Sequence, residues 1–229
     1  ALVWLATRLW SERRALAILV LLLPIVAWGL AYEAFVREPH DLEVTRYELR
    51  SAKLSQPLTI VVLSDIQTDA PGVYEQGVLR RAMAERPDLV LLPGDYIQQR
   101  DPLLYKIARA KLNRLFVDAG LSAPVGVFAV EGNVDAAHLW AQVFENLPVT
   151  AFDRSGTVSS GPISVTGLTL ADSFDTARVV EAAPGFHVVL GHAPDFAMGD
   201  IEADLLIAGH THGGQVRLPG IGPLITLSR

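Results

Sequence analysis

Apolar positions along the chain follow two regimes. From Ala15 to Tyr32 (ALAILVLLLPIVAWGLAY) 18 consecutive residues carry no charge. As a helix rising ~1.5 Å per residue, this run would be ~27 Å long, close to the hydrocarbon thickness of a bilayer. Pro24 sits mid-run, which a membrane helix tolerates better than a soluble one. Arg8, Arg13 and Arg14 precede it; Glu33, Arg37, Glu38 and Asp41 follow; Trp10, Trp28 and Tyr32 lie near its ends, as interfacial aromatics do. A soluble core helix of this length would show a polar face. A cleaved signal peptide is the better rival, but the stretch exceeds a usual signal core and no convincing small-x-small cleavage site follows it. The expectation is an uncleaved anchor over 15–36. The basic segment 1–14 is then cytoplasmic or interfacial, and the chain beyond about residue 40 is extracytoplasmic.

The second regime alternates short β-branched runs with helical periodicity. Strands are predicted at Thr59–Leu63, Asp88–Leu92, Val125–Val130, Ile163–Leu170, His187–Leu190 and Asp204–Ala208. Helices are predicted at Tyr74–Glu85, with Val78, Leu79, Ala82 and Met83 inward, and at Asp135–Glu145. A longer one spans Pro102–Asp118, its apolar face made of Leu103, Leu104, Ile107, Ala108, Leu112, Leu115 and Phe116. Five apolar runs end on a small residue followed by a side chain able to bind metal: Ser64-Asp65, Gly94-Asp95, Gly132-Asn133, Gly191-His192 and Gly209-His210. In open α/β sheets the ligand crevice lies past the carboxyl ends of the strands. Singly, an Asp or Asn there is a turn former or helix cap, and a lone His is a surface or satisfied core residue. Five such endings together point to one convergent site. The densest motif is Gly209-His210-Thr211-His212-Gly213-Gly214-Gln215, whose two histidines at i and i+2 point the same way in extended backbone.

Composition narrows the chemistry. The chain has 229 residues and no cysteine, which excludes disulfides, cysteine-ligated metal and a cysteine nucleophile. Imidazole and carboxylate ligands suit Zn, Mn or Fe. The formal charge is −6; residues 1–40 carry four Arg and three Glu, +1, so the remainder carries −7. An acidic domain of this kind is no nucleic-acid binder, and it needs cations of its own to receive an anionic substrate. No G-x-S-x-G elbow supports Ser64, Ser155 or Ser173 as a nucleophile, and neither G-x-G-x-x-G nor a P-loop is present. A chain that opens on Ala1 and stops at Arg229, soon after the last motif, is expected to be a trimmed one.

With these residues laid out, the chain resembles the calcineurin-like metallophosphoesterase superfamily. That pattern runs D-x-H, GD, GNH-D/E, GH and GHxH. Here it reads Asp65-Ile66-Gln67, Gly94-Asp95, Gly132-Asn133-Val134-Asp135, Gly191-His192 and Gly209-His210-Thr211-His212, within roughly residues 58–218. The resemblance implies an α/β fold, a four-layer αββα sandwich of two mixed β-sheets over 58–229, with a linker and first strand at 37–57 and the transmembrane helix before them. It implies two divalent metal ions bridged by Asp95. Asp65, Gln67 and His212 would serve one, and Asn133, His192 and His210 the other, with Asp135 behind them. Mn, Zn or Fe fit, and Mg at the Gln67 side. The implied activity is phosphoester or pyrophosphate hydrolysis by metal-activated water. A membrane anchor resembles the bacterial branch acting on lipid-linked substrates, among them UDP-diacylglucosamine. Two positions depart from the pattern. Gln67 replaces a histidine ligand with a weaker carboxamide. Val134 replaces a histidine expected to aid the leaving group or stabilise charge. His138, four residues on, reads as a solvated residue rather than its substitute. The alternative is a weakly active or inactive homologue that binds metal or a phosphate ligand as a scaffold. Against drift, six of the seven ligand positions remain, and buried polar ligands without a cation destabilise a fold.

Overall fold

The computed structural model describes residues 4, 10, 13–37, 41–212, 217–218 and 222–223. The expectations for most of segment 1–14, for Gly213, Gly214 and Gln215, and for the end of the chain lie outside the described residues. The chain divides into two units, residues 1–47 and 48–229.

In the first unit, helix α1 (Arg14–Tyr32) runs through Pro24 and closes on a π turn at Glu33–Arg37. Large apolar side chains are exposed along its length, from Leu16 and Ile18 to Trp28 and Tyr32, and Ala17 is its one buried residue. By length and composition it could cross a membrane, as an anchor or as a signal sequence.

The second unit begins without a strand. Residues 41–59 are irregular, so the first strand expected within 37–57 is instead β1 (Ile60–Val62). β1, β2 (Leu89–Leu92), β3 (Gly126–Ala129) and β4 (Val149–Ala151) form one sheet in that order. Its described pairs are all parallel, so the mixed character expected of both sheets is not found in this one. Parallel neighbours require crossovers. Helix α2 (Val73–Ala84) joins β1 to β2, and helix α3 (Pro102–Ala119) joins β2 to β3. Asp101 caps α3 by accepting from the N–H groups of Leu103 and Leu104, with Pro102 in the first turn, and Gly120 ends it at φ 69°.

A second sheet has the order β10 (Leu205–Ile207), β8 (Phe186–Leu190), β6 (Ile163–Gly167), β5 (Gly156–Ser160). Only β5 runs antiparallel, so this sheet is mixed. The intervening short strands β7 (Val179–Val180) and β9 (Asp200–Ile201) pair with each other. The two-residue alternation of the strands sets the layers. Val90, Leu92, Val127 and Ala129 face the helices through Leu79, Leu112 and Phe116. Leu89, Leu91, Phe128 and Val130 face the second sheet through Ile163, Val165, Val188 and Leu190. The far side of the second sheet places Val189 against Leu168, Val180 and Phe196, under short helical turns at Leu170–Ser173 and Pro194–Met198. The order is therefore helices, sheet, sheet, short helical cover. Each fully buried Leu or Phe contributes roughly 1.5–3 kcal/mol.

Two further expectations change. Asp135–Glu145 is not an α-helix: a turn leads into a 3₁₀ helix at Trp140–Phe144, with His138 at φ 64°. On α3 the buried face is Tyr105, Ala108, Leu112, Leu115 and Phe116, whereas Leu103, Leu104 and Ile107 are exposed.

Candidate metal centre

The parallel strands of both sheets end in loops that carry the candidate ligands: Asp65 after β1, Asp95 after β2, Asn133 after β3, His192 after β8, His210 and His212 after β10. The loops are laced to one another through the backbone. Asp65 N–H donates to Gly94 O (3.2 Å), Gln67 N–H to Asp95 O (2.8 Å) and Gly209 N–H to His192 O (2.8 Å). His210 N–H donates to Asp65 Oδ1 (3.0 Å) and Val134 N–H to Asp95 Oδ1 (3.0 Å).

Two sets of side chains converge, and Asp95 is common to both. Asp95, His192 and His210 bring their ligand atoms within 4.8 Å of one another, as do Asp65, Asp95 and His212. Asn133 joins the first set: its Oδ1 lies 2.7 Å from His192 Nε2 and 2.8 Å from His210 Nδ1. Asp95 and His192 are buried, and Asp65 and His212 are half-buried. Gln67 is held in the loop after Asp65 by its own backbone bond, between Asp65 and the bridge from Thr68 to Ile97. His138 is exposed, outside both sets.

The donor chemistry favours a cation. His192 Nδ1 lies 2.8 Å from Pro93 O, a pure acceptor, so Nδ1 carries the proton. Burial lowers the His192 pKa, against the pull of Asp95. The ring is then neutral and Nε2 presents a lone pair to two oxygens, Asn133 Oδ1 and Asp95 Oδ1, the latter at 3.5 Å. Acceptor facing acceptor around the buried His192 ring is repulsive until a positive charge lies between them. His187 is the contrast. It is equally buried, but its Nδ1 meets Glu202 O (2.8 Å) and its Nε2 the Thr166 hydroxyl (2.7 Å), so it is satisfied without a cation. Ser64 Oγ, beside Gly209 and the Asp65 carboxylate, is buried and has no hydrogen-bond partner among the described residues.

Backbone strain concentrates at the same place. Asp65, Gln67, Asp95, His210 and His212 all have positive φ, from 43° to 68°. Such conformations are costly for non-glycine residues and persist only where the surroundings enforce them. Asp135 is one enforcer. Its carboxylate accepts from the N–H groups of Asp95 (2.9 Å), Tyr96 (2.7 Å), Ile97 (3.2 Å) and Gly132 (2.9 Å). Burial pushes its pKa up to about 6, while the N–H groups of Gly132, Tyr96 and Ile97 pull it down. Tyr96 is another, its buried hydroxyl within 2.9 Å of Leu92 O and Val130 O at the ends of β2 and β3. Phe174, which the sequence did not single out, packs edge-on against His210 with centroids 5.1 Å apart. A lone aromatic in a loop carries no signal of that role.

Gly132 permits the close approach of the Asp95 loop. A Cβ there would collide with the backbone N and Oδ1 of Asp95. Gly132→Ala is therefore expected to displace Asp95 and to cut turnover by ~10²-fold, the cost of misplacing a reacting constellation by about an ångström. Steady-state kinetics beside a circular-dichroism spectrum check it; unchanged kinetics in a folded variant contradict the close approach.

Residues 58–214 match the calcineurin-like phosphoesterase family. Among similar proteins, the metallophosphoesterase YkuE of Bacillus subtilis is 27% identical, over 86% of this chain and 74% of its own. The phosphodiesterase YaeI of Escherichia coli is 28% identical, over 81% and 72%. The UDP-2,3-diacylglucosamine pyrophosphatase LpxG of Chlamydia muridarum is 23% identical, over 86% and 76%.

Proposed function

The chain belongs to the calcineurin-like phosphoesterase family of metal-dependent hydrolases acting on phosphoester bonds, and on that premise we propose a dinuclear phosphodiesterase or pyrophosphatase working at a membrane surface. The observation that carries the reading is the sharing of Asp95 between two converging donor sets. In this reading Asp95 would serve both of two divalent ions. Asp65 and His212 would hold one, with Gln67 as a weak additional ligand, and Asn133, His192 and His210 would hold the other. Two such ions, when bound, lower the pKa of a water and offset charge on phosphoryl oxygens in an in-line displacement.

The protein's own part is to hold and orient. Pro93 O fixes the His192 tautomer so that Nε2 faces the pocket. The bond from His210 N–H to Asp65 Oδ1 ties the two donor sets together. Asp135 fixes the turn that presents Asp95. Val134 offers a backbone N–H to Asp95 but no side-chain proton for a leaving group. Losing a general acid typically costs ~10²–10⁴ in rate. The substrates that suffer least carry leaving groups stable as anions, such as a nucleotide monophosphate departing from a pyrophosphate. The pyrophosphatase LpxG among the similar proteins, together with helix α1, supports a lipid-linked pyrophosphate as the substrate class and anchorage by α1.

The full chain in detergent, loaded with Mn²⁺, is expected to retain about two ions per molecule by elemental analysis and to hydrolyse bis-p-nitrophenyl phosphate slowly. Absence of bound metal after Mn²⁺ or Zn²⁺ loading would overturn the dinuclear reading. Bound metal without turnover on any diester or pyrophosphate would leave a binding scaffold.

A further inference from the structure

Helix α3 presents an apolar face that the fold leaves uncovered. Leu103 is 67% exposed, Ile107 56% and Leu104 49%. At i, i+1 and i+4 they share one side of the helix, opposite the buried Tyr105, Ala108, Leu112 and Phe116. The patch lies at the edge of the metal centre by connectivity. Asp95 follows β2, and Leu103 comes eight residues later in the first turn of α3; Asp65 follows β1 and Val73, 86% exposed, opens α2 eight residues later. Because β1 and β2 are parallel neighbours, both helices start at the end of the sheet that carries the two aspartates.

The charge around the patch is the reverse of the chain's. Residues 100–118 hold Arg100, Lys106, Arg109, Lys111 and Arg114 against Asp101 and Asp118, +3 in a chain of −6, which leaves −9 for the rest. Arg114 pairs with Asp118, and Asp101 is used in capping. No carboxylate pairs with Arg100, Lys106 or Lys111 among the described residues. Exposed leucine and isoleucine bordered by lysine and arginine on one helix is the composition that seats a helix in the headgroup region of an anionic bilayer. In a chain whose remainder carries −9, this cationic, apolar face is complementary to an anionic lipid surface. The same chain carries α1, and the 27 residues from Glu33 to Thr59 span at most about 90 Å, so an α1 in the bilayer keeps this face within reach of lipid.

We infer that the Leu103–Leu104–Ile107 face of α3, with Lys106 and Lys111, docks on an anionic lipid surface and turns the metal centre toward it. This rests on the membrane reading above and adds the face by which the domain meets the bilayer. The absence of cysteine makes the test direct. Full-length Leu104→Cys, labelled with an environment-sensitive nitrobenzoxadiazole probe, is reconstituted into phosphatidylcholine vesicles with and without phosphatidylglycerol. Ser122→Cys, exposed beyond the far end of α3, is the control. With phosphatidylglycerol the probe at 104 is expected to shift to the blue and to be quenched by nitroxide lipids, while the control keeps its aqueous emission. Adding Lys106→Glu and Lys111→Glu is expected to abolish the shift, with hydrolysis of bis-p-nitrophenyl phosphate unchanged. Aqueous emission at 104 in both lipid mixtures overturns the inference. So does a blue shift that persists in detergent and grows with protein concentration, which marks a contact between copies. Carbonate extraction reads the anchor separately: a chain that washes off vesicles argues against α1 as an anchor, while the probe still reports whether the face binds the anionic vesicles present.

Discussion

Asp95→Asn is expected to lower Mn²⁺-dependent hydrolysis by more than about 10³-fold, the largest effect of any single change in the protein. The magnitude follows from its place. Removing a residue behind a metal ligand typically costs ~10–100-fold in metal affinity or activity. Asp95 is a ligand-bearing side chain common to both donor sets, so its loss affects both at once, and groups that act as a unit fail together. Asparagine keeps the shape and can still accept the Val134 N–H, so the turn held by Asp135 should survive. Removing a buried negative charge should leave thermal stability of the metal-free protein equal or slightly higher. The signature is thus a folded protein with fewer than two bound ions and almost no turnover. Activity within about tenfold of the parent, with full metal content, contradicts the shared-carboxylate arrangement. His138→Ala, at an exposed position outside both sets, serves as the inert comparison.

Much of the site was legible because its residues sit where pattern and chemistry coincide. A β-branched run that halts at Gly-Asp or Gly-His marks both a strand end and a ligand, and five of them in one chain point to one pocket. The expected ligand residues other than Gln67 do come together around Asp95. What pattern could not supply were choices made by tertiary contacts. The residues after Asn133 look helical, but Asp135 turns its carboxylate back onto four N–H groups and His138 takes φ 64°, so the chain turns before Trp140–Phe144 winds into a 3₁₀ helix. The short polar strand β5 hides among Thr and Ser with no apolar run to mark it. On α3, Leu103 and Leu112 read alike in sequence; only the position of the first sheet makes one exposed and the other buried. Periodicity shows that a face is apolar, not whether anything covers it.

Val134→His tests the chemistry rather than the metal. The family pattern places a histidine where this chain has valine, and the Val134 N–H already bonds Asp95 Oδ1, so a new imidazole there would project from a backbone tied to the carboxylate shared by the two donor sets. Turnover of a diester with an alkyl leaving group is expected to rise by about 10²-fold, the low end of what a positioned acid contributes. Bis-p-nitrophenyl phosphate should gain far less, because p-nitrophenolate departs without a proton. The ratio of the two gains is the informative quantity, since a general improvement in folding or metal retention would raise both alike. The gain on the alkyl ester should also fall away as pH rises through the new imidazole's pKa, because only the protonated ring can donate. Equal gains on both substrates, or none in a folded and metal-loaded variant, would mean that the valine is no missing acid and that leaving-group protonation does not limit this enzyme. A gain confined to the basic leaving group ties the valine to substrate choice, favouring the pyrophosphates and activated esters that such a site can cleave unaided.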